Sequence, residues 1–359
     1  MNLKTFFSDP RRRNLALLAA LAFFSVVFAA VALAWRADEV APKYTPQAFF
    51  PGLAGKLDDV TRIHFVSKKN GAFDVVFVPM KGWVLPGRGN YPASFEEVRK
   101  TLVGLAALET IEPKTARADW LHYLDLDAPP NGAGVLISLA YDKNRVLASL
   151  IVGKSEDIGE ASENVGLFVR QPGQMQSWLV SSPFAPHAAQ SDWLKKNIVE
   201  LDRSRIQSVD VRPLTGPSYS VSRDKPGDTD FALTPMPHGR ELTDSGAPAV
   251  VASALADFSF TDVQPVGNFD FDGQVWRTVT HTFDGLIVNV DVVRLGTDVW
   301  ARINAFALPG KPDTAKEARE IDEAAQGWAF KLPAYKGAAF TSSLDSMLKP
   351  VEASRNAKK

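Results

Sequence analysis

The feature that most constrains this chain is an apolar run at residues 14–35, NLALLAALAFFSVVFAAVALAW, which contains no charged residue. A helix of this length rises roughly 30 Å, about the thickness of the hydrocarbon layer of a bilayer. Lys4, Arg11, Arg12 and Arg13 precede the run, and basic residues before a first span hold that end in the cytoplasm. The run predicts a transmembrane helix, with the rest of the chain on the far side of the membrane.

A cleaved signal peptide is the alternative interpretation of this run. Ala30, Ala32 and Ala34 provide the small residues of a cleavage site. The apolar region of a signal peptide spans about 7–15 residues, and this run is longer, with phenylalanines at its centre. Length therefore favours an uncleaved anchor, so that residues 1–36 form a cytoplasmic stub and transmembrane anchor.

Composition bounds the exported part of the chain. Five basic residues against one acid give residues 1–36 a charge of +4, and the whole chain carries −1, so the remainder carries −5. An acidic exported region has no electrostatic reason to bind nucleic acid. The 359 residues include no cysteine, which excludes disulfides, thiolate metal sites and cysteine nucleophiles. The length beyond the anchor suggests two domains with real apolar cores.

Residues 37–56 contain several prolines without apolar periodicity and predict a tether. Alternation at residues 60–65, the pair Asn70-Gly71 and the apolar residues that follow predict a β-hairpin. Ser94 and Glu97 form a capping box before a helical apolar stripe that extends to residue 108. Farther along, the pattern predicts a hairpin over 135–152, a strand at 166–170, and short helices at 174–180 and 191–197.

The pattern of elements then starts again, which predicts two repeated antiparallel-sheet-plus-helix units. The alternation at 206–211 repeats that at 60–65, and residues 327–333 resemble residues 166–172 in pattern. The other expected elements are a helix at 247–258, a hairpin at 286–305, an inserted charged helix within 309–326 and a terminal helix at 341–348. The fold class is therefore α+β. The predicted units are 57–200 and 201–350, followed by a polar tail at 351–359.

No motif predicts catalysis. The histidines are scattered, and no Walker loop, Gly-x-Ser-x-Gly elbow or dinucleotide-binding loop is present. Asp125 and Asp127 are interpreted as a solvated loop, and Asp270 and Asp272 as a turn, since the glutamate of a calcium loop is missing. Most of the tryptophans are expected in the core, with Trp120, Trp178 and Trp193 as candidates for exposure. Accordingly, no catalytic, cofactor-binding or metal-binding residue is predicted, and no cofactor is expected.

The order of these motifs resembles a bacterial family known as domain of unknown function 4340. The resemblance rests on residues 57–63, the capped helix ending at Leu108, and the segments 150–154, 166–170 and 193–202, and it covers about residues 45–350. It implies a companion of ABC-type or gliding-motility-type transport systems in the bacterial inner membrane. The family has no established catalytic residues to carry over.

Two functions follow as hypotheses. The first is a non-enzymatic periplasmic accessory subunit of an ABC-type export system, which contacts the permease, its ATPase and a substrate or envelope partner, with residues 14–35 in lipid. The second is a freestanding module that binds peptidoglycan, glycan or lipid of the cell envelope. An enzyme is the least supported hypothesis, since the expected motifs are missing.

Overall fold

The computed structural model describes residues 10–40, 45–141, 145–158, 164–256 and 258–350. The predicted hairpin turn at residues 142–144 and the polar tail at 351–359 lie outside the described residues. The described part is α+β, with a nine-stranded and an eight-stranded antiparallel sheet. The helices are α1 (Pro10–Val40), α2 (Phe95–Ala106), α3 (Ala247–Ala252), α4 (Pro312–Ala325) and α5 (Ala334–Phe340).

The strands of the first sheet are β1 (Arg62–Ser67), β2 (Gly71–Val78), β3 (Gly82–Leu85), β4 (Tyr91–Pro92), β5 (Glu109–Pro113), β6 (Val135–Ala140), β7 (Val146–Glu156), β8 (Val165–Arg170) and β9 (Ser177–Ser182). Those of the second sheet are β10 (Ile206–Arg212), β11 (Tyr219–Ser222), β12 (Ala232–Thr234), β13 (Asp262–Pro265), β14 (Trp276–Thr282), β15 (Leu286–Leu295), β16 (Asp298–Ala307) and β17 (Trp328–Lys331).

The two sheets share one strand order. The first runs β4-β3-β2-β1-β6-β7-β8-β9-β5, and the second runs β12-β11-β10-β14-β15-β16-β17-β13. Once β4 is set aside, each strand of one sheet has a counterpart at the same place in the other. By position in the sheets, β8 corresponds to β16 and β9 corresponds to β17. The sequence pattern instead matched residues 166–172, which lie mostly in β8, with residues 327–333, which contain β17.

In each sheet, a connection that contains one α-helix leads from the strand at one edge to the strand at the opposite edge. Helix α2 follows β4 at one edge and leads to β5 at the opposite edge, and α3 stands in the same way between β12 and β13. Ser94 caps α2 as predicted, with its Oγ accepting a hydrogen bond of 3.4 Å from the Glu97 N–H. Val98 and Leu105 of α2 are buried in the large core against the inner face of the first sheet.

Several predicted helices are shorter or different. The predicted helix at 174–180 is wrong, because Ser177–Ser182 forms strand β9 and pairs with β8. A short apolar run does not distinguish a buried strand from a helix, and the pairing partner decides. The segment 191–197 forms only a 3-10 turn, Gln190–Trp193, and only the 3-10 turn Asp345–Met347 occupies the region 341–348. The predicted charged helix within 309–326 is confirmed as α4.

The predicted transmembrane anchor at residues 14–35 is not confirmed. Helix α1 covers the run, yet the part of the chain that the structure describes contains no helix both long and apolar enough to cross a membrane.

The two predicted units, 57–200 with the first sheet and 201–350 with the second, are joined by aromatic packing. Tyr91 of β4 lies with its ring centroid 5.0 Å from that of Trp328 and 6.3 Å from that of Phe330. Beside it, Arg88 Nε lies 2.5 Å from Asp262 Oδ1. One continuous hydrophobic core includes residues of both units, so they pack as one body around this junction.

Gly89 permits this close approach, and its replacement tests the junction. Gly89 has φ of 68°, and an added Cβ would lie 2.7 Å from Pro265 Cγ of the other unit. Gly82 has a similar φ of 76° with nothing within 4 Å, so Gly82→Ala is the matched control. Both variants should lose about 1 kcal/mol to backbone strain. Gly89→Ala should lose about 1–3 kcal/mol more, because Pro265 and Trp328 must move. Thermal unfolding of both variants measures the difference, and equal losses would contradict the importance of this contact.

Candidate functional site

A cleft of about 670 Å³ lies between the two units. Its walls come from strand β4, the connecting segment 195–200 and helix α4. The aromatic rings of Tyr91 and Trp328 line it together with Ile198 and Ile321. The cleft therefore lies directly beside the aromatic junction that joins the units.

The rim of this cleft is acidic, but part of the charge is neutralised locally. Glu317 is bound by Arg205, and Glu320 lies 3.8 Å from Lys316 on the same helix. Glu200 and Glu323 are exposed at the rim. Lys195 also lines the cleft, and none of the described residues that line it is a histidine.

Arg205 joins α4 to the loop that follows β14. Its guanidinium donates to Glu317 at 2.8 and 2.7 Å, and its Nε and a terminal nitrogen reach Asp284 Oδ2 at 3.1 and 2.7 Å. The hydrogen bond to Glu317 raises the pKa of Arg205 above its ordinary value, despite partial burial, and Asp284 adds to this effect. Burial opposes the ionisation of Asp284, but its hydrogen bonds to Thr282 and Arg205 outweigh burial and lower its pKa.

A second charged cluster surrounds Asp291 on strand β15. The Asp291 side chain is only 6% exposed, and it accepts hydrogen bonds from Arg277 Nε at 2.6 Å and from an Arg302 terminal nitrogen at 2.9 Å. The three residues face one another across β14, β15 and β16. No local sequence pattern predicts this cluster, because its members are separated along the chain and only strand register brings them together.

The histidines on the two sheets lie beside aspartates. His64 Nδ1 is 2.7 Å from Asp74 Oδ1, and Arg62 also binds Asp74. In the second sheet, His281 Nε2 is 3.2 Å from Asp210 Oδ2. These pairs lie on separate sheets, and among the described residues no group of three His, Cys, Asp or Glu side chains is placed to hold a metal ion.

The aspartate pairs singled out in the sequence lie in loops and turns. Asp125 ends a 3-10 helix with φ of 53°, and the Asp127 carbonyl accepts a hydrogen bond of 3.0 Å from the Gly134 N–H. Asp270 Oδ1 accepts hydrogen bonds from the N–H groups of Asp272 and Gly273, at 3.2 and 2.9 Å, which closes a turn. The turn interpretation of Asp270 and Asp272 is therefore confirmed.

The three tryptophans considered for exposure differ. Trp120 is half-exposed, Trp178 is partly buried, and Trp193 is completely buried with its ring centroid 4.9 Å from that of Phe65. Exposure was thus wrong for Trp193, whose Nε1 donates to the His187 carbonyl at 3.0 Å inside the core. The buried indole anchors the connecting segment beneath the first sheet.

Arg205→Gln should lower the free energy of unfolding at pH 7 by about 1 kcal/mol, since solvent screens this partly exposed pair. A carboxylate whose folded-state pKa is lowered stabilises the fold above its unfolded pKa and loses that effect as the pH falls through the folded pKa. For Asp284 the loss begins below about pH 4, so the stabilities of wild type and variant should converge there. Urea unfolding between pH 3 and 7 measures this convergence.

Lys316→Gln is the control for that experiment, because Lys316 forms only an exposed pair with Glu320. Its effect should stay below about 0.5 kcal/mol at every pH. A difference between wild type and Arg205→Gln that does not change between pH 3 and 7 would contradict the role given to Asp284.

The chain matches one known protein family. The sequence profile described as Domain of unknown function (DUF4340) matches residues 83–271. The match begins in strand β3, runs through the segment that connects the units and ends in the second unit, so it covers less than the range 45–350 expected from sequence. No curated protein and no solved structure matches the chain. Because the profile covers more than half of the chain, this protein belongs to the DUF4340 family.

Proposed function

We propose that the protein is a non-enzymatic accessory subunit of an ABC-type export system. In this proposal it attaches to a bacterial inner membrane through residues 14–35, with its N-terminus in the cytoplasm and both units in the periplasm. The permease and its ATPase are the proposed partners. A freestanding module that binds the cell envelope is the alternative.

The observation that carries this proposal is the apolar surface of helix α1. Leu15, Phe24 and Phe28 are 68%, 69% and 77% exposed, and none of them belongs to the hydrophobic core. Exposed apolar side chains occur at consecutive positions, such as Phe23 and Phe24, which point about 100° apart on a helix. The helix is therefore apolar on several sides, and water contact costs roughly 25 cal/mol for each Å² of such surface.

Lipid or the helices of a permease would cover this surface. Alanines are frequent along the run, and small side chains allow helices to approach closely in lipid. They stand at positions 19, 20, 22, 29, 30, 32 and 34. Helix α1 therefore offers both apolar area for lipid and small residues for a second helix.

The ion pairs of the charged side chains support a non-enzymatic role. The carboxylates of Asp74, Asp284 and Asp291 all bind arginines that link neighbouring strands or an adjacent loop. The cleft between the units presents exposed glutamates together with Lys195, and none of the described residues that line it is a histidine. These groups stabilise the fold and the surface, and they suit a binding protein better than a proton-transfer site.

We also propose that the two units are copies of one ancestral unit, as the repeated sequence pattern predicts. The shared strand order and the helix that crosses each sheet support this proposal. Two similar units would allow one to contact the permease and the other to contact a substrate or an envelope partner.

Affinity purification of the tagged full-length chain in mild detergent tests the proposed partners. We expect an ABC permease and its ATPase to be recovered with the wild-type protein. The double variant Phe24→Glu, Phe28→Glu should leave the membrane fraction and lose these partners, since charge within an apolar helix opposes contact with lipid.

Phe95→Glu is the matched control, because Phe95 is 67% exposed but lies at the start of α2. This variant should keep both the membrane fraction and the partners. Recovery of the wild-type protein alone, together with its sedimentation on isolated cell wall, would overturn the accessory-subunit proposal and support the envelope-binding module.

A further inference from the structure

A row of charged side chains crosses the outer face of the second sheet. Arg212, Arg277, Asp291 and Arg302 are successive cross-strand neighbours on β10, β14, β15 and β16. The outer face is the one that points away from the large core. Alternate residues of the same strands, such as Val211 and Val290, point inward and are buried in that core.

The row has more positive than negative charge. Asp291 is buried and lies between Arg277 and Arg302, while Arg212 is exposed and has no acidic partner among the described residues. Two further acids lie nearby. Asp272 is 3.5 Å from Arg302 but 96% exposed, and Asp210 is directed to His281 at 3.2 Å. Arg212 and Arg277 therefore keep donors that Asp291 does not use.

Two adjoining cavities open on this row, and both are lined by Arg212 and Arg277. One, of about 440 Å³, is also lined by Arg302 and by the loop 271–275. The other, also about 440 Å³, is lined by the serines at 218 and 220. Within the described residues, Arg302 Nε is buried without a hydrogen-bond partner. Asp272 lines the first cavity and Asp210 the second, so each cavity combines guanidinium donors with one acid. Each is large enough for a small ligand.

The first sheet shows what this row looks like without such a site. By strand order and register, the corresponding residues are Val66, Leu136, Ile151 and Arg170. Three of these four are apolar. Ile151 and Leu136 pack in a small cluster with Leu126 from a covering segment. The architecture therefore does not require charges at the positions of Arg212, Arg277 and Asp291.

The last arginine of each row has a structural task. Arg170 Nε donates to the Leu126 carbonyl at 2.7 Å, and an Arg302 terminal nitrogen donates to the Phe271 carbonyl at 3.2 Å. Both arginines hold a covering segment against the outer face of a sheet. This shared task explains Arg170 and Arg302. The pair Arg277 and Asp291 links β14 to β15, but the apolar residues at the corresponding positions of the first sheet show that the architecture does not require this pair. Arg212 binds no partner among the described residues.

We propose that Arg212, Arg277 and Arg302 form a binding site for a phosphate group, with Asp291 as the positioning residue that orients two of the guanidiniums. Guanidinium groups bind phosphate oxygens through paired, charge-assisted hydrogen bonds, and burial of one carboxylate between two arginines fixes their planes. The phosphate belongs either to a small soluble ester or to a lipid headgroup. The site does not depend on attachment to an exporter.

Titration of the full-length protein in a neutral detergent tests the site with defined probes. Inorganic phosphate and glycerol phosphate represent the soluble source. Lipid nanodiscs with and without phosphatidylglycerol, compared at equal lipid content, represent the headgroup source. We expect saturable binding that weakens as the salt concentration increases. This binding should be to a soluble probe, or it should be stronger to nanodiscs with phosphatidylglycerol than to nanodiscs without it.

Arg212→Gln is the diagnostic variant, because this side chain is exposed and binds no partner in the part of the chain that the structure describes. It should weaken binding about tenfold or more, with an unchanged melting temperature, as expected for loss of a charge-assisted hydrogen bond. Arg294→Gln is the matched control, since Arg294 is an exposed arginine of the same sheet that stacks on Trp276. It should bind like the wild type.

Asp291→Asn distinguishes the orientation of the arginine side chains from the net charge of the row. It increases the positive charge of the row, so a purely electrostatic attraction would strengthen, whereas loss of orientation should weaken saturable binding. Absence of saturable binding to every probe, or equal weakening by Arg212→Gln and Arg294→Gln, would overturn the proposal. Either result would leave the test of the export partners unaffected, because that test depends on helix α1.

Discussion

The structure depends on the burial of one apolar face of each sheet. Along β1, the buried residues Ile63 and Phe65 alternate with more exposed ones, so every second side chain must be covered by another element. A helix that crosses from one sheet edge to the other provides much of this cover. The connection that contains this helix crosses the sheet, so the strand that follows it is added at the far edge, beside the last strand of the unit. The unusual position of β5 and β13 thus follows from the need to cover the inner face.

The second constraint is the junction between the units. Tyr91 packs edge-on against Trp328 and Phe330, and its hydroxyl donates to the Lys195 carbonyl at 2.7 Å. This hydrogen bond satisfies the polar atom of a ring that is otherwise buried, and burial raises the pKa of the Tyr91 hydroxyl above its ordinary value. The same carbonyl belongs to the segment that connects the units. Aromatic packing and chain connection therefore support each other at one point.

The inner faces of the two sheets are both apolar, but one row of residues on their outer faces differs in chemistry. Each outer face carries an apolar cluster under a covering segment, but one row differs: it is mostly apolar in the first sheet, whereas in the second sheet it carries arginines around Asp291. A buried carboxylate is costly unless cations and hydrogen bonds compensate it, and Arg277 and Arg302 supply both. Two units with one architecture can therefore present different chemistry, since outer positions are less constrained by packing than inner ones.

The sequence by itself determined the strands with clean alternation, the Ser94 cap of α2, the helix within 309–326 and the apolar character of residues 14–35. Each of these depends on neighbours within a few residues, and local periodicity records such neighbours. Tertiary structure alone decided that 177–182 forms a strand, since the pairing partner β8 selects between strand and helix. It also decided the burial of Trp193 and the meeting of Arg212, Arg277, Asp291 and Arg302. Those contacts arise from register between strands distant in the chain, and no local pattern encodes that register.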